Sequence, residues 1–215
     1  MAGLRFSSLA VFGSAALLAL AGPAAAQTCN GLSCTMVGTI YADVIVGSNN
    51  GDVICSLDSG DTVYGNGGND TVCGGTGNDE VNGSEGADWV SGDDGNDGVH
   101  GQSENDSMWG GLGTDEFWAD TGADDLHGGG GYDQLYGHLG NDLLYGDADS
   151  DDVYGHENDD TLNGGGGDDY LDGDSGYDTL NGGLGIDICV DGEVYTSCND
   201  DPNECTRPSC GPIYP

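Results

Sequence analysis

The chain has 215 residues, including 43 glycines and 39 acidic residues, but its only basic residues are Arg5 and Arg207. A formal net charge of −37 leaves no basic patch, which argues against nucleic acid and anionic membrane surfaces as partners. So many carboxylates repel one another, and a compact chain of this composition needs cations. An acidic disordered tail is the alternative, but such a tail predicts no regular period.

Residues 1–26 are predicted to be a secretory signal peptide. Arg5 provides the positive start, residues 9–20 are largely apolar, and Ala24–Ala26 fits the small-residue cleavage pattern. The apolar stretch is shorter than the roughly 18 residues that a membrane-spanning helix needs. We therefore expect an exported protein whose mature chain begins at Gln27.

A nine-residue repeat follows. An aspartate recurs every nine residues from Asp43 to Asp187, which gives 17 consecutive units without insertion or deletion. An apolar residue lies two positions after each Asp, and Gly lies five positions before it in 15 of the 17 units. Glycine permits tight turns, and the three residues after each Asp alternate outward, inward, outward as in a short strand. Two units per coil would let the apolar residues meet, with odd units in one sheet and even units in the other.

Several units resemble the RTX, or haemolysin-type, calcium-binding nonapeptide G-G-x-G-x-D-x-U-x. Residues 74–82, 110–118, 128–136 and 182–190 follow this pattern well. The resemblance covers residues 38–190, and it implies an all-β fold: a parallel β-roll, or β-solenoid, with calcium between the turns of successive coils. We expect residues 27–37 to form an N-terminal cap and residues 191–215 a Cys-rich C-terminal cap or tail.

The turns have the chemistry of calcium sites, because Ca²⁺ takes six to eight oxygen ligands from carboxylates and backbone carbonyls. Stacking brings the Asp of the next coil, 18 residues along the chain, to the same edge. Asp79 is then expected beside Asp97, and Asp70 beside Asp88. The predicted calcium ligands are Asp70, Asp79, Asp88, Asp97, Asp115, Asp124, Asp133, Asp142, Asp169, Asp178 and Asp187.

Some turns depart from the pattern. Those that end at Asp106, Asp151 and Asp160 lack the second glycine, and Ala119 replaces the first glycine before Asp124. Sites in these turns are expected to be distorted or empty, and the three units up to Asp61 are expected to form a poorly liganded cap. If each Asp only capped its own turn, the carboxylates would remain unneutralised. We therefore predict that several calcium ions bind and that the chain is unfolded without them.

Eight cysteines follow the leader, and an even number in an exported chain favours disulfides. Zinc is the alternative, although the close pairs lack C-x-x-C spacing. Cys55 and Cys73 are 18 residues apart, so we predict a disulfide between neighbouring coils. Cys29–Cys34 is predicted to close the N-terminal cap. The pairing stays open for Cys189, Cys198, Cys205 and Cys210.

Aromatic residues follow the core position in several consecutive units. Trp118, Tyr136 and Tyr154 are expected to stack on one sheet, as stabilising cross-strand pairs or as a surface for carbohydrate or another partner. His138 and His156 are expected to stack one coil apart, where two ligands alone are too few for a transition-metal site.

The sequence contains no recognisable enzyme motif. The segment 173–176 (GDSG) falls in repeat register, and neither H-E-x-x-H nor G-x-S-x-G is present. We predict a secreted calcium-binding module with a structural or interaction role, an extracellular protein or glycan as partner, and no enzymatic activity. The alternative is an accessory subunit of a secreted enzyme, or an adhesin that recognises carbohydrate.

Overall fold

The computed structural model describes residues 27–198, so the predicted leader and the cysteines at 205 and 210 lie outside the described part. Within residues 27–198 the chain forms strands and turns, without a helix. The strands form one nine-stranded sheet, one ten-stranded sheet and a two-stranded antiparallel hairpin. All pairings in the two large sheets are parallel, which confirms the predicted all-β, parallel β-solenoid.

Consecutive strands alternate between the two large sheets, so each coil contributes one strand to each sheet. The hairpin consists of β1 (Thr28–Cys29) and β2 (Leu32–Ser33). The nine-stranded sheet contains β4 (Val44–Val46), β6 (Thr62–Gly67), β8 (Glu80–Glu85), β10 (Gly98–Ser103), β12 (Glu116–Thr121), β14 (Gln134–Leu139), β16 (Asp152–Glu157), β18 (Tyr170–Asp172) and β20 (Ile188–Val190). The ten-stranded sheet contains β3 (Met36–Val37), β5 (Val53–Cys55), β7 (Thr71–Thr76), β9 (Trp89–Asp94), β11 (Ser107–Leu112), β13 (Asp125–Gly130), β15 (Leu143–Ala148), β17 (Thr161–Gly166), β19 (Thr179–Leu184) and β21 (Val194–Thr196).

The core is a double column of apolar side chains between the two sheets. Neighbouring strands pair in a register of 18 residues, as Val63 does with Val81 and Val72 with Val90. The residue two positions after every repeat Asp is at most 6 % exposed, from Ile45 to Cys189. Because one residue per unit fills the core, the nine-residue period fixes both the register and the sheet to which each strand belongs.

The strands are longer than the three residues predicted from the repeat. Strand β8 begins at Glu80, directly after the repeat Asp, and continues through Gly83 and Ser84 to Glu85. Pairing resumes beyond the glycine, where Ser84 lies opposite Gln102 on β10. Ser84 has a φ of 85°, which belongs to the left-handed region. Each strand therefore bends at its glycine into the next turn while its ladder of hydrogen bonds continues.

Both disulfides predicted near the N-terminus are wrong. The structure joins Cys29 to Cys73 and Cys34 to Cys55, with Cα–Cα distances of 5.7 and 6.0 Å. Cys55 and Cys73 are register partners on β5 and β7. Side chains on neighbouring parallel strands point the same way at a spacing of about 4.8 Å, whereas a disulfide needs Cβ atoms about 3.5–4.5 Å apart. Instead, the β1–β2 hairpin supplies both partners and is fastened across two coils.

A third disulfide joins Cys189 to Cys198 across a Cα–Cα distance of 5.9 Å. Cys189 occupies the last core position, and Cys198 follows β21, the last strand of the ten-stranded sheet. All six cysteines in residues 27–198 are therefore in disulfides, which overturns the zinc alternative for them.

Candidate metal centre

The repeat aspartates form two rows, one along each edge of the roll. The first row precedes the strands of the nine-stranded sheet, and the second precedes those of the ten-stranded sheet. The fifteen members from Asp61 to Asp187 are at most 3 % exposed. The first row comprises Asp43, Asp61, Asp79, Asp97, Asp115, Asp133, Asp151, Asp169 and Asp187. The second row comprises Asp52, Asp70, Asp88, Asp106, Asp124, Asp142, Asp160 and Asp178.

One carboxylate oxygen of each buried Asp has a protein partner. Oδ1 accepts a hydrogen bond from the backbone N–H of the Asp 18 residues earlier, at 2.7–3.1 Å along both rows. The N–H of Asp79 thus donates to Asp97 at 2.8 Å. The predicted neighbours do lie together, but they meet through a backbone N–H that sequence reasoning missed.

The other oxygen, Oδ2, has no hydrogen-bond partner in any of the fifteen buried aspartates from Asp61 to Asp187. An ionised oxygen that is buried without a partner is costly, and native proteins rarely tolerate one. Asp43 and Asp52 differ, because their Oδ2 atoms accept hydrogen bonds from the N–H groups of Thr39 and Ser48 at 2.6 and 2.7 Å. The unpartnered oxygens therefore begin at Asp61.

A backbone carbonyl lies close to each unpartnered oxygen where glycine leaves room. A Cβ atom added to Gly74 would lie 2.6 Å from Oδ2 of Asp79 and 2.7 Å from the carbonyl oxygen of Gly92 in the next coil. The same point at Gly137 would lie 2.7 Å from Oδ2 of Asp142 and 2.8 Å from the carbonyl of Gly155. Carboxylate and carbonyl oxygens are the ligands that Ca²⁺ prefers, so the donor set of both edges fits this ion.

The turns without a second glycine keep the same geometry. Glu104 and Asp149 take its place with φ values of 70° and 71°, and Asn158 does so with 87°. The expectation of distorted turns is therefore wrong for the backbone, because these residues adopt the left-handed conformation that glycine has elsewhere. The buried, half-partnered carboxylate recurs at four aspartates outside the predicted set and at Asp124, which follows Ala119: Asp61, Asp106, Asp124, Asp151 and Asp160.

Burial makes these carboxylates hard to ionise. It raises the pKa from the ordinary 3.8 to about 8 for Asp106 and Asp151 and to about 7 for Asp97 and Asp133. Loss of hydration is the largest cause, the hydrogen bond from the backbone opposes it, and aspartates of neighbouring coils raise the pKa further. A cation beside Oδ2 would favour the ionised form and so reverse the shift.

Glu193 continues the second row at its C-terminal end. Its Oε2 accepts a hydrogen bond from the N–H of Asp178 at 2.7 Å, the contact that a repeat Asp makes elsewhere. Sequence reasoning missed this residue because it follows Asp178 by 15 positions and so falls outside the repeat register. The longer side chain compensates for the shorter segment.

Aromatic side chains form two ladders on the outer faces. On the nine-stranded sheet the ring centroids of His100, Trp118, Tyr136 and Tyr154 follow one another at 4.3, 6.2 and 5.1 Å. On the ten-stranded sheet, Trp89, Trp109, His127 and Tyr145 follow at 5.0, 5.7 and 4.6 Å. The predicted stacking of Trp118, Tyr136 and Tyr154 is confirmed. The rings turn their faces to one another, whereas a sugar would need an uncovered face.

The two histidines expected one coil apart are also stacked. The ring centroids of His138 and His156 lie 4.8 Å apart with an angle of 11° between the planes. Their in-plane nitrogen atoms cannot converge on one ion in this arrangement. Across residues 27–198 there is no group of three or more His, Cys, Asp or Glu side chains placed to hold a metal ion. Any cation ligands at the Asp rows must therefore include backbone carbonyls.

Fold and edges together define a parallel β-solenoid whose turns present rows of carboxylates and carbonyls to a divalent cation. The model of the RTX calcium-binding nonapeptide repeat (4 copies) matches residues 56–81, 73–108, 82–117, 118–153 and 154–189. The chain belongs to this calcium-binding repeat family. No curated protein matches the sequence. None of the residues from 27 to 198 forms a helix long and apolar enough to cross a bilayer.

Proposed function

We propose that several Ca²⁺ ions bind between successive turns along both edges of the roll. The observation that supports this best is the row of buried Oδ2 atoms without a protein partner, beginning at Asp61. A cation bound there would neutralise two or more carboxylates and would be shared with glycine carbonyls. The ligands are the eleven predicted aspartates, Asp70, Asp79, Asp88, Asp97, Asp115, Asp124, Asp133, Asp142, Asp169, Asp178 and Asp187, extended by Asp61, Asp106, Asp151 and Asp160.

We propose further that calcium binding and folding are one process. Each coil contributes only two core side chains, while its two aspartates become buried at a cost in hydration. The ligands come from different coils, so a complete site exists only in the folded chain. Cations that bind only the folded state stabilise it by mass action, by about 2.7 kcal/mol per site at 100 times the dissociation constant.

The role that we propose is that of an exported structural or interaction module without enzymatic activity. Residues 1–26 would be removed as a signal peptide, residues 27–37 would serve as the N-terminal cap and residues 191–215 as the C-terminal cap. The three disulfides support an oxidising compartment. A glycan or an extracellular protein remains a candidate partner.

Circular dichroism of the purified chain tests the coupling. The apo chain at neutral pH is expected to give a disordered spectrum, and Ca²⁺ to produce a strand spectrum that a chelator abolishes. Mg²⁺ at the same concentration is the control, because it prefers a smaller octahedral shell that keeps several waters, and it should fail to fold the chain. A strand spectrum unchanged by the chelator would reject coupled folding.

A further inference from the structure

Three tyrosines form a column on the outer face of the nine-stranded sheet. Tyr136 on β14 and Tyr154 on β16 are register partners, with ring centroids 5.1 Å apart and an angle of 10° between the rings. Tyr170 on β18 follows Tyr154 at 5.7 Å with a tilt of 49°. All three rings are half-buried. Their edges are therefore open to solvent while their faces are covered by neighbours.

The phenols in this column are neutral and lie near groups that can accept a proton. Burial, followed by nearby carboxylates, raises the pKa of Tyr136 and Tyr154 above the ordinary value of 10.0. The His156 ring lies 6.1 Å from the ring of Tyr136 and 6.2 Å from that of Tyr154. Tyr170 donates a hydrogen bond to Asp172 at 3.1 Å. Removal of an electron from one of these phenols can therefore be accompanied by loss of its proton.

We propose that Tyr136 and Tyr154 are a site of oxidative modification that joins neighbouring coils by a dityrosine bond. The oxidant is hydrogen peroxide used by a haem peroxidase. Each phenol loses one electron and one proton, and the two phenoxyl radicals couple through the ring carbons beside their hydroxyl groups. Those two carbons each lose a hydrogen as the rings regain aromaticity and the phenols re-form. One peroxide thereby removes two hydrogen atoms, forms one C–C bond and becomes two waters.

The register of the roll singles out this pair. Tyr145 lies between His127 and Asn163, and Tyr64 lies opposite Asn82. Among the strands of residues 27–198, no other two tyrosines are register partners. Radical coupling requires two phenols in contact, so the column limits the reaction to one place on the roll.

The bond would have a consequence for a roll that needs calcium, and this part rests on the proposed function. Strands β14 and β16 directly follow Asp133 and Asp151 of the first row. A covalent tie between them would hold the two coils together after the cations leave. Oxidation would then convert a reversible contact between coils into a permanent one.

Mass spectrometry of the calcium-loaded full chain tests the site. After treatment with peroxidase and peroxide, the monomer is isolated by size and digested with a protease that cleaves at Asp, because the chain lacks lysine. We expect the blue fluorescence of dityrosine and one cross-linked species containing Tyr136 and Tyr154, two hydrogens lighter than the two peptides together. Tyr154→Phe should abolish both signals while it keeps the ring stack. Tyr145→Phe, the matched control, should leave both unchanged.

Each outcome decides the matter. Dityrosine that persists in Tyr154→Phe, or a cross-link found only between chains, would overturn the proposal. So would the absence of dityrosine in a chain that calcium has folded, as judged by circular dichroism, and that result would leave the calcium proposal intact. A chain that calcium does not fold would instead reject the calcium proposal.

Discussion

The first two turns of the roll and the turns after them use the same aspartate position differently. In Asp43 and Asp52 the second carboxylate oxygen accepts hydrogen bonds from the same turn, and these two residues are half-buried or exposed. From Asp61 onward the same oxygen is buried and unpartnered. The first coils also carry the hairpin with two disulfides. The protein alone thus completes the start of the roll, whereas the remainder requires a cation.

Removal of calcium should separate the two regions most strongly. Hydrogen exchange measured after chelation is expected to show complete loss of amide protection from β8 to β19. Residues 28–55 should keep measurable protection, because their carboxylates have protein donors and disulfides hold the hairpin in place. Uniform loss over both regions would show that the N-terminal cap has no stability of its own.

Acid should replace calcium in the long region. Burial raises the pKa of Asp70 to about 6 and that of Asp106 to about 8, so the folded apo chain binds more protons than the unfolded chain. Stability from this source is full below the unfolded pKa of about 3.9 and is lost as the pH rises through the folded values. The apo roll should therefore be most stable near pH 4 and least stable at pH 8.

Urea denaturation of the chelated chain between pH 4 and 8 measures this trend. A calcium-loaded sample is the control, and its stability should fall toward acid pH because protons compete with Ca²⁺ for the same oxygens. If the apo chain instead becomes more stable as the pH rises, the carboxylates are not buried in the way described.

The repeat predicted most of this architecture because every unit has the same length. Asp and the apolar residue two positions later fix the register, so Val63, Val72 and their successors could be assigned to the core without a structure. The row of Asp neighbours followed from the same arithmetic.

Other features depend on three-dimensional geometry that the nine-residue period does not encode. The direction of the Cβ atoms on β5 and β7 excludes a Cys55–Cys73 bond, and only the path of the hairpin shows which partners replace it. Glu193 reaches the second row from outside the register. Glu104 adopts a left-handed φ that its residue type disfavours, so the pattern alone made its turn look defective.

The hairpin disulfide should account for the stability of the first region. Breaking Cys29–Cys73 with alanine at both positions frees a loop with a sequence separation of 44. The expected loss is about 4 kcal/mol by the loop-entropy relation. The control removes Cys189–Cys198, which should leave exchange in residues 28–55 unchanged. Retained protection in the first variant would contradict the assignment.

A single carboxylate oxygen should distinguish the two regions at the smallest scale. Asp115→Asn keeps Oδ1 as an acceptor but replaces Oδ2 with an amide, so it should weaken one calcium site and cost about 2.7 kcal/mol in saturating calcium. Asp52→Asn disrupts one hydrogen bond and should cost about 1 kcal/mol. Calcium-dependent thermal denaturation measures both. Equal losses in calcium, or equal losses in its absence and presence, would argue against a cation at Asp115.

A crystal structure of the calcium-loaded chain, with anomalous scattering recorded to locate the ions, tests the central claim most directly. The account predicts calcium peaks in a row along each edge, each bonded to the Oδ2 atoms of repeat aspartates and to glycine carbonyls, beginning near Asp61. Edges without ordered cations, in which Oδ2 is satisfied by water or by the protein, would contradict it.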